Sequence, residues 1–276
     1  MAFGELTRIG SNLSAMKALQ AFNKINGQLA GVQSRLSTGK RINRAQDDTA
    51  GYQIAKGLES RVRGLQQAFD NVGTAKNVLY VAESSHEAQM SLILGIKDKV
   101  SQAADGSLTQ IQRDAIQSQI TAMLDEIDDI ADSATWQGTE LNAGYNDSTS
   151  LTFHVGDNAS DSFTVELAGF DSLTVGAIDV STSSLASAAI VTVENVINVL
   201  ASNIQNVGNY QIRLNSKEAM LSDSIMNTEA ARSRIEDADF ALEQMEAMKL
   251  QIMQQISMTS FTQANTQPQL VLSLFR

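Results

Sequence analysis

Between residues 193 and 225, apolar side chains recur at alternating spacings of four and three without a slip. Such a repeat keeps one face of a helix apolar, and a heptad pattern sustained this long is typical of helices that pack side by side as in coiled coils. Two polar residues fall on the same seam, where polar groups fix the register at some cost in stability. The repeat comprises Val193, Ile197, Leu200, Ile204, Val207, Gln211, Leu214, Glu218, Leu221 and Ile225.

The N-terminal segment also has a helical pattern, with Gly27 and Gly31 as weak points. Nothing within this segment can cover its apolar stripe. Because burial of that stripe has to offset the conformational entropy lost on ordering, we expect the segment to be disordered until a partner covers it. The stripe consists of Leu6, Ile9, Leu13, Met16, Leu19, Phe22, Ile25, Leu29, Val32 and Leu36.

A polar elbow joins this first helix to the next one. Gly39 is the residue type that accepts a left-handed helix C-cap, and Asp47, Asp48 and Thr49 have the chemistry of a helix N-terminus. The pattern predicts a helix from Asp47 to about Asp105, with a turn over residues 105–107. A further helix follows over the repeat that ends before Trp136: Ile116, Ile120, Met123, Ile127 and Ile130.

Residues 139–180 change character, because LTFHVG and FTVELAGF alternate apolar and polar residues. We predict a β-hairpin with its turn near residues 157–162, and a short strand near residues 173–180. Residues 181–192 are mostly small and read as a connection. A last helix is predicted after residue 236, with Pro268 preceding an apolar tail. The fold class is therefore mainly α: an elongated antiparallel helical bundle or coiled coil with paired N- and C-terminal helices and a small β-hairpin insert.

Charge is distributed unevenly along the chain. Residues 1–63 hold ten Lys and Arg against four Asp and Glu, a formal charge of +6, and the remainder has a formal charge of −17. The basic residues are dispersed along an amphipathic helix rather than clustered with aromatics, which argues against nucleic-acid binding. From Glu236 onward there are five acidic residues against Lys249 and Arg276, so electrostatics favours pairing of the two ends of the chain.

Several functional classes find no support in the residues. The chain has no cysteine, so a disulfide framework and a zinc–thiolate site are excluded. The start resembles no cleaved signal peptide, and no apolar run approaches the roughly 18 residues that span a bilayer. We interpret His86 as a solvated side chain, and the acidic residues 125–132 as a solvated helix face rather than a calcium loop. No motif indicates an enzyme or a cofactor.

Two long stretches resemble bacterial flagellins. The first runs from SNLSAMKALQ through RLSTGKRINRAQDDTAGYQIAKGLESRVRG to NVGTAKNVLYVAESS, and the second from TEAARSRIEDADFA to QANTQPQLVLSLFR. By this resemblance, residues 1–43 and 236–276 form an inner domain of terminal helices. Residues 44–235 form an outer helical rod with the hairpin at about 139–180. No large additional outer domain is expected.

The resemblance implies a structural subunit that is exported and polymerises into the filament of the bacterial flagellum, outside the cell. Its implied partners are copies of itself, the flagellar export apparatus, an export chaperone, and the cap and hook-associated proteins. A hook–filament junction protein shares the terminal architecture and is the nearest alternative. On periodicity alone, a soluble coiled-coil adaptor or chaperone is a further alternative. The candidate subunit-interface residues are Leu6, Ile9, Leu13, Leu29, Leu36, Arg41, Asn43, Leu242, Ile252, Ile256, Leu270 and Leu272.

Many flagellins are recognised by a vertebrate Toll-like receptor through the outer rod. By resemblance, that site maps near residues 95–102 and 119. The family pattern has Arg where this chain has Gly95, Leu at Lys99 and Glu at Gln119. Because an Arg and an apolar anchor are residue types that dominate interface energies, we expect weak receptor activation by this chain.

Overall fold

The computed structural model of the chain describes residues 12–142 and 147–273, with side chains described as far as residue 266. Its described part is mainly helical, as the sequence predicts. Two compact units can be distinguished. Met1–Ser60 and Asn227–Arg276 form the terminal unit, and Arg61–Met226 forms the central unit.

The terminal unit contains α1 (Leu13–Thr38) and α6 (Phe240–Ser273), together with the start of α2 (Thr49–Ala103) and the end of α5 (Ser183–Glu236). The predicted elbow is confirmed. Gly39 takes a left-handed conformation with φ 72° and donates its backbone N–H to the Arg35 carbonyl, which closes α1. The Asp48 side chain accepts the Gly51 backbone N–H at 2.9 Å, so it caps the start of α2.

The central unit is built on α2, on α3 (Gln110–Ser133) and on α5. One face of α2 is buried in an unbroken alternation of three and four residues, as expected for helices packed side by side. The buried residues fall into two apolar cores, one on Ile93, Ile120, Phe170 and Leu200, the other on Leu79, Phe163, Val207 and Leu214. The buried α2 seam comprises Leu65, Ala68, Val72, Ala75, Leu79, Ala82, His86, Gln89, Ile93, Ile96, Val100 and Ala103.

The two polar residues of the predicted α5 seam pair with α2. Gln211 Nε2 donates to Glu83 Oε2 at 2.6 Å, and Lys76 Nζ lies 2.8 Å from Glu218 Oε2. Between them, Leu214 is fully buried. The predicted polar interruptions therefore tie α5 to α2 at defined positions within an apolar seam.

The predicted hairpin is present but shorter than expected. β3 (Ser148–His154) pairs antiparallel with β4 (Ser162–Ala168), with Phe153 opposite Phe163. Alternate residues of β4 face a core, which buries Phe163, Val165 and Leu167. A second, two-residue pair joins β1 (Thr135–Trp136) to β2 (Thr139–Glu140) across Gln137 and Gly138, both at positive φ.

Two predictions around the hairpin are wrong. Residues 173–180 form no strand; instead the short helix α4 (Ser172–Val175) starts at Asp171, whose side chain accepts the Thr174 N–H. The small residues 183–192 are the first turns of α5 rather than a connection. Their periodicity is hidden because Ala186 and Ala189 take the place of larger apolar residues at buried positions.

His86 was also predicted wrongly, because it is buried rather than solvated. It occupies a seam position of α2, where its Nδ1 lies 3.2 Å from Gln89 Oε1. Gln89 Nε2 in turn donates to the carbonyls of Ile127 and Phe170. Burial lowers the pKa of His86, because the charged imidazolium loses its hydration. A buried polar layer thus lies in the α2 seam between Ala82 and Ile93.

The remaining polar features of the central unit stabilise loops. Arg113 is buried and donates to the carbonyls of Ala103, Asp105 and Leu108, which closes the end of α2. Asp128 accepts the N–H and hydroxyl of Ser172, while the other acidic residues of α3 are exposed, as expected for a solvated face.

Helix α5 is long and apolar enough to span a membrane by length and composition alone, with a mean hydropathy of 1.5 over 18 residues. The sequence analysis predicts no apolar run that approaches the length needed to span a bilayer, whereas this 18-residue window of α5 reaches it by length and composition. In the structure α5 supplies Val193, Leu200 and Leu214 to the two cores.

Candidate assembly surface

Helices α1 and α6 of the terminal unit run antiparallel and are joined by polar contacts along their length. Asn12 Nδ2 donates to the Ala264 carbonyl at 2.8 Å. Further along, Gln254 Nε2 donates to Asn26 Oδ1 at 2.6 Å, and Arg35 Nε donates to Glu243 Oε1 at 2.7 Å. These contacts fix the register of the two terminal helices.

The apolar core of this pair is small. Leu29 and Val32 of α1 pack against Ala247 and Leu250 of α6, and these are its four buried residues. Ile25, Leu36 and Met253 are only partly buried beside them. The α6 positions that face α1 are spaced four, three and four apart, at Glu243, Ala247, Leu250 and Gln254.

The elbow after α1 is held to the end of α5 by backbone bonds. The Arg41 N–H donates to the Glu236 carbonyl at 2.7 Å, and the Ala238 N–H donates to the Gly39 carbonyl at 2.9 Å. Lys40 Nζ lies 2.5 Å from the buried carboxylate of Glu236. Because these bonds join residues 39–41 to residues 236–238, they bring the two ends of the chain together at one point.

Charge supports the same pairing. The hydrogen bond to Glu243 raises the pKa of Arg35, so the guanidinium is stabilised in its charged form by this contact. In the elbow, the backbone N–H groups of Arg44 and Asn43 donate to the Asp47 carboxylate and lower its pKa. The sequence-level expectation of electrostatic pairing between the ends is therefore met by specific contacts.

Away from this core, both helices present large apolar residues to solvent. On α6, five of them lie on one face, and each is exposed by at least half. On α1, exposed apolar residues occur in its first turns, at Leu13, Met16 and Leu19. A helix that is apolar on two sides needs two partners, and α1 covers only one side of α6. The exposed face of α6 comprises Leu242, Met245, Met248, Ile252 and Ile256.

The structure places the predicted interface residues in three settings. Leu29 and Leu36 face the core of the α1–α6 pair. Arg41 and Asn43 lie in the elbow, where Arg41 Nη2 donates to the Ile235 carbonyl and Asn43 Nδ2 to that of Lys40. Exposed apolar positions are occupied by Leu13, Leu242, Ile252 and Ile256.

Four predicted interface residues cannot be placed in these settings. Leu6 and Ile9 lie outside the described residues, and Leu270 and Leu272 belong to turns of α6 whose side chains are not described. The role of all twelve residues at a subunit interface stays a prediction. Sequence reasoning missed Met245 and Met248 as surface candidates, although they share the face of Leu242 and Ile252 at helical spacing.

The three receptor positions lie in the central unit. Gly95 and Lys99 are half-buried on α2, and Gln119 is exposed on α3. A Cβ at Gly95 would lie 3.8 Å from Met123 Sδ, an ordinary contact, so the position has room for a Cβ. The expectation of weak receptor activation stays a prediction.

Sequence models of one known protein family match two regions of the chain, one towards each end. A model of the bacterial flagellin N-terminal helical region matches residues 9–147, and one of the bacterial flagellin C-terminal helical region matches residues 190–275. The chain belongs to the bacterial flagellin family. The two matched regions include most of the helices that form both units of this flagellin.

Individual relatives agree over nearly the full length. The flagellin FlaB1 of Treponema pallidum is 30% identical over 97% of this chain and 99% of its own. The flagellin of Bacillus subtilis is 31% identical over 98% of this chain and all of its own. A solved structure described as a flagellar hook-associated protein from Vibrio parahaemolyticus shares the fold at TM-score 0.58 and 13% identity. It covers 69% of this chain and all of its own.

No group of three or more His, Asp or Glu side chains within residues 12–142 and 147–273 is arranged to hold a metal ion. Flagellins are structural proteins, and the surface of interest in this one is the exposed apolar face of its terminal helices.

Proposed function

We propose that this flagellin is the structural subunit of a bacterial flagellar filament and that it polymerises through the outward faces of α1 and α6. The observation that carries the proposal is the five-residue apolar face of α6, which no part of the described chain covers. Apolar surface of this extent is stabilised by removal from water, and another subunit can provide that.

The relatives support a filament role rather than a junction role. A relative from Treponema phagedenis, 31% identical over 97% of this chain, is called a flagellar filament 33 kDa core protein. The hook-associated structure is only 13% identical, so it supports the shared fold and not the junction function. A junction protein is therefore the weaker alternative.

The domain roles follow from the same proposal. The terminal unit, predicted as residues 1–43 with 236–276, supplies the contacts between subunits, and the rod predicted over residues 44–235 folds by itself. The compact units divide at residues 60/61 and 226/227, inside α2 and α5. Before assembly the subunit is exported by the flagellar export apparatus with an export chaperone. It meets the cap and hook-associated proteins at the growing filament outside the cell.

The proposal also accounts for the marginal packing of the pair. Among the described residues, the core between α1 and α6 contains four buried side chains, with Ala15 buried separately near the start of α1, while α1 alone orders 26 residues. Each ordered residue costs roughly 1–2 kcal/mol of backbone entropy. The pair therefore gains most of its stability from the burial that occurs when subunits assemble.

The experiment that tests this proposal replaces Ile252 and Ile256 together with Asp. Both side chains are exposed in the single chain, so the monomer should keep its helix content by circular dichroism. Assembly would bury two unpaired charges at heavy cost, so electron microscopy should show no filaments. The matched control is Gln251→Asp with Gln255→Asp, which adds the same charge at exposed polar positions of the same turns.

The control variant is expected to form filaments. Normal filaments from the Ile252→Asp/Ile256→Asp variant would show that this face stays in water and would overturn the proposed surface. Failure of the unmodified protein to polymerise at all would instead contradict the filament function.

A further inference from the structure

Two methionines lie next to each other on the exposed face of α6. Met245 and Met248 are 58% and 50% exposed, and their spacing of three puts them on one side of the helix. Ile252 continues that side four residues further on. Because the chain has no cysteine, methionine thioethers are its only sulfur groups and the side chains most open to mild oxidation. These two methionines are therefore candidates for a modification that changes an apolar surface directly.

The reaction needs an oxidant of the peroxide class. A lone pair of the methionine sulfur attacks one peroxide oxygen, the O–O bond breaks and an S–O bond forms. With hydrogen peroxide, the second oxygen leaves as water, so the sulfur is oxidised by two electrons and the peroxide is reduced by two. The product, methionine sulfoxide, is polar, and methionine sulfoxide reductases return it to methionine at the expense of thiols.

In the single chain the added oxygen costs little. Both methionine side chains already contact water, and neither belongs to the buried core of the α1–α6 pair. The sulfoxide oxygen accepts hydrogen bonds from solvent there, so no polar group is left unpaired. Oxidation should therefore leave the helix content of the monomer unchanged.

In an assembled subunit the same oxygen is removed from water. The rest of the exposed face consists of Leu242, Ile252 and Ile256, whose side chains have no hydrogen-bond donor. Lys249 is the only Lys or Arg in α6, and its Nζ already lies 3.2 Å from Glu246 Oε2. A sulfoxide buried on this face therefore finds no free donor on its own helix, and burial of an unpaired polar group is costly.

We propose that Met245 and Met248 form an oxidation site that controls assembly. A subunit with sulfoxide at either position stays out of the filament until a reductase removes the oxygen. The inference rests on the proposed filament function, since it requires the exposed face of α6 to be buried between subunits. The reaction takes place before assembly, while this face is in water, and the same methionines react slowly once they are covered.

A partition experiment tests the site on the unmodified protein. Monomer verified by sedimentation is treated with hydrogen peroxide until part of it is oxidised, freed of peroxide, polymerised and centrifuged. Peptide mapping by mass spectrometry gives the sulfoxide fraction of each methionine in pellet and supernatant. We expect sulfoxide at Met245 and Met248 to be enriched at least about tenfold in the supernatant. Methionine sulfoxide reductases with dithiothreitol should restore polymerisation of that supernatant.

Two other methionines provide internal controls. Met220 and Met226 are 52% and 60% exposed on α5, in the central unit, so their sulfoxides should distribute evenly between pellet and supernatant. A second arm replaces the proposed site. Met245→Leu/Met248→Leu keeps the face apolar, so it should polymerise like the unmodified protein. After the same peroxide treatment it should lose less assembly than the matched Met220→Leu/Met226→Leu variant.

Equal sulfoxide fractions at Met245 and Met248 in pellet and supernatant would overturn the proposed site. Peroxide sensitivity of Met245→Leu/Met248→Leu equal to that of its matched control would overturn it as well. In both cases the filament function stands if the untreated protein forms filaments. Failure of the untreated protein to polymerise would contradict the filament function and, with it, the oxidation site.

Discussion

In the central unit, the seams of α2, α3 and α5 bury large apolar residues completely, among them Leu79, Ile96, Ile120, Leu200 and Leu214. In the described part of the terminal unit, the core between the two long helices consists of four buried residues, and larger apolar residues are exposed on their outer sides. Both regions are built from long helices that carry apolar faces. The difference is that the central unit closes two large cores within the chain and exposes its remaining apolar residues singly, such as Ile111 and Ile212, whereas the described part of the terminal unit closes one small core and leaves a five-residue apolar face of α6 exposed.

This difference separates two kinds of stability within one flagellin. The free energy of unfolding of the central unit is a property of the single chain, since its cores close within it. The stability of the terminal unit depends on subunit concentration, because burial of its outer faces requires other copies. A core substitution in the central unit should therefore destabilise the monomer, whereas a core substitution in the terminal unit should mainly weaken polymerisation.

The largest expected effect comes from truncating a core residue in each region. Leu214→Ala leaves a cavity in the central unit and should lower the free energy of unfolding of the monomer by about 2–5 kcal/mol. Leu250→Ala, at the core of the α1–α6 pair, should change that value by less than about 0.5 kcal/mol but should weaken polymerisation. Urea unfolding measures the free energy of unfolding of both variants. The fluorescence of the single tryptophan, Trp136, reports the transition, because Trp136 packs against the core that contains Leu214.

Equal destabilisation of the monomer by the two variants would break this comparison. It would show that the α1–α6 pair unfolds as one cooperative structure with the central unit before any assembly. Filament yield, measured by sedimentation, shows whether Leu250→Ala weakens polymerisation.

A smaller expected effect is the pH dependence of the folding stability of the central unit. Burial lowers the pKa of His86 below its ordinary 6.5 in the folded unit. Below pH 6.5 the unfolded chain therefore binds a proton that the folded unit binds only at lower pH. The stability linked to His86 is complete above pH 6.5 and is lost progressively as the pH falls towards the folded pKa. The thermal midpoint of the monomer should be lower at pH 5.5 than at pH 7.5, by about 2–4 °C for each kcal/mol of unfolding free energy that is lost.

His86→Leu should flatten this pH dependence, even though it destabilises the unit at all pH values by leaving the Gln89 side-chain oxygen without its partner. The exposed His154 provides the control, and His154→Leu should keep the wild-type slope. An unchanged slope in His86→Leu would mean that other groups determine the acid sensitivity of the central unit.

Much of the fold was predictable from the sequence because it depends on local patterns. Heptad spacing identified α2, α3 and α5, and the residue types at Gly39 and Asp48 located the elbow. The errors occurred where long-range packing overrides the local pattern. Asp171 starts a short helix in a stretch that alternates like a strand, and Ala186 and Ala189 are buried without the large side chains that signal a seam.

His86 shows the same limit in another way. Its spacing from Ala82 and Gln89 puts it on the buried face of α2, but its residue type favoured solvent. The candidate assembly surface was only partly predictable for a related reason. Because α6 is apolar on two sides, its sequence cannot show which side faces α1, and the contacts of Glu243, Leu250 and Gln254 were needed to decide.

Hydrogen exchange of monomer and filament tests most directly whether the terminal unit depends on assembly for its order. The amides of α1 and α6 should exchange within seconds in monomer that is verified by sedimentation and become strongly protected in filaments. Amides of α2 and α5 that belong to the central unit, such as those near Leu79 and Leu200, should be protected in both states. Slow exchange throughout α1 and α6 in the verified monomer would contradict the account.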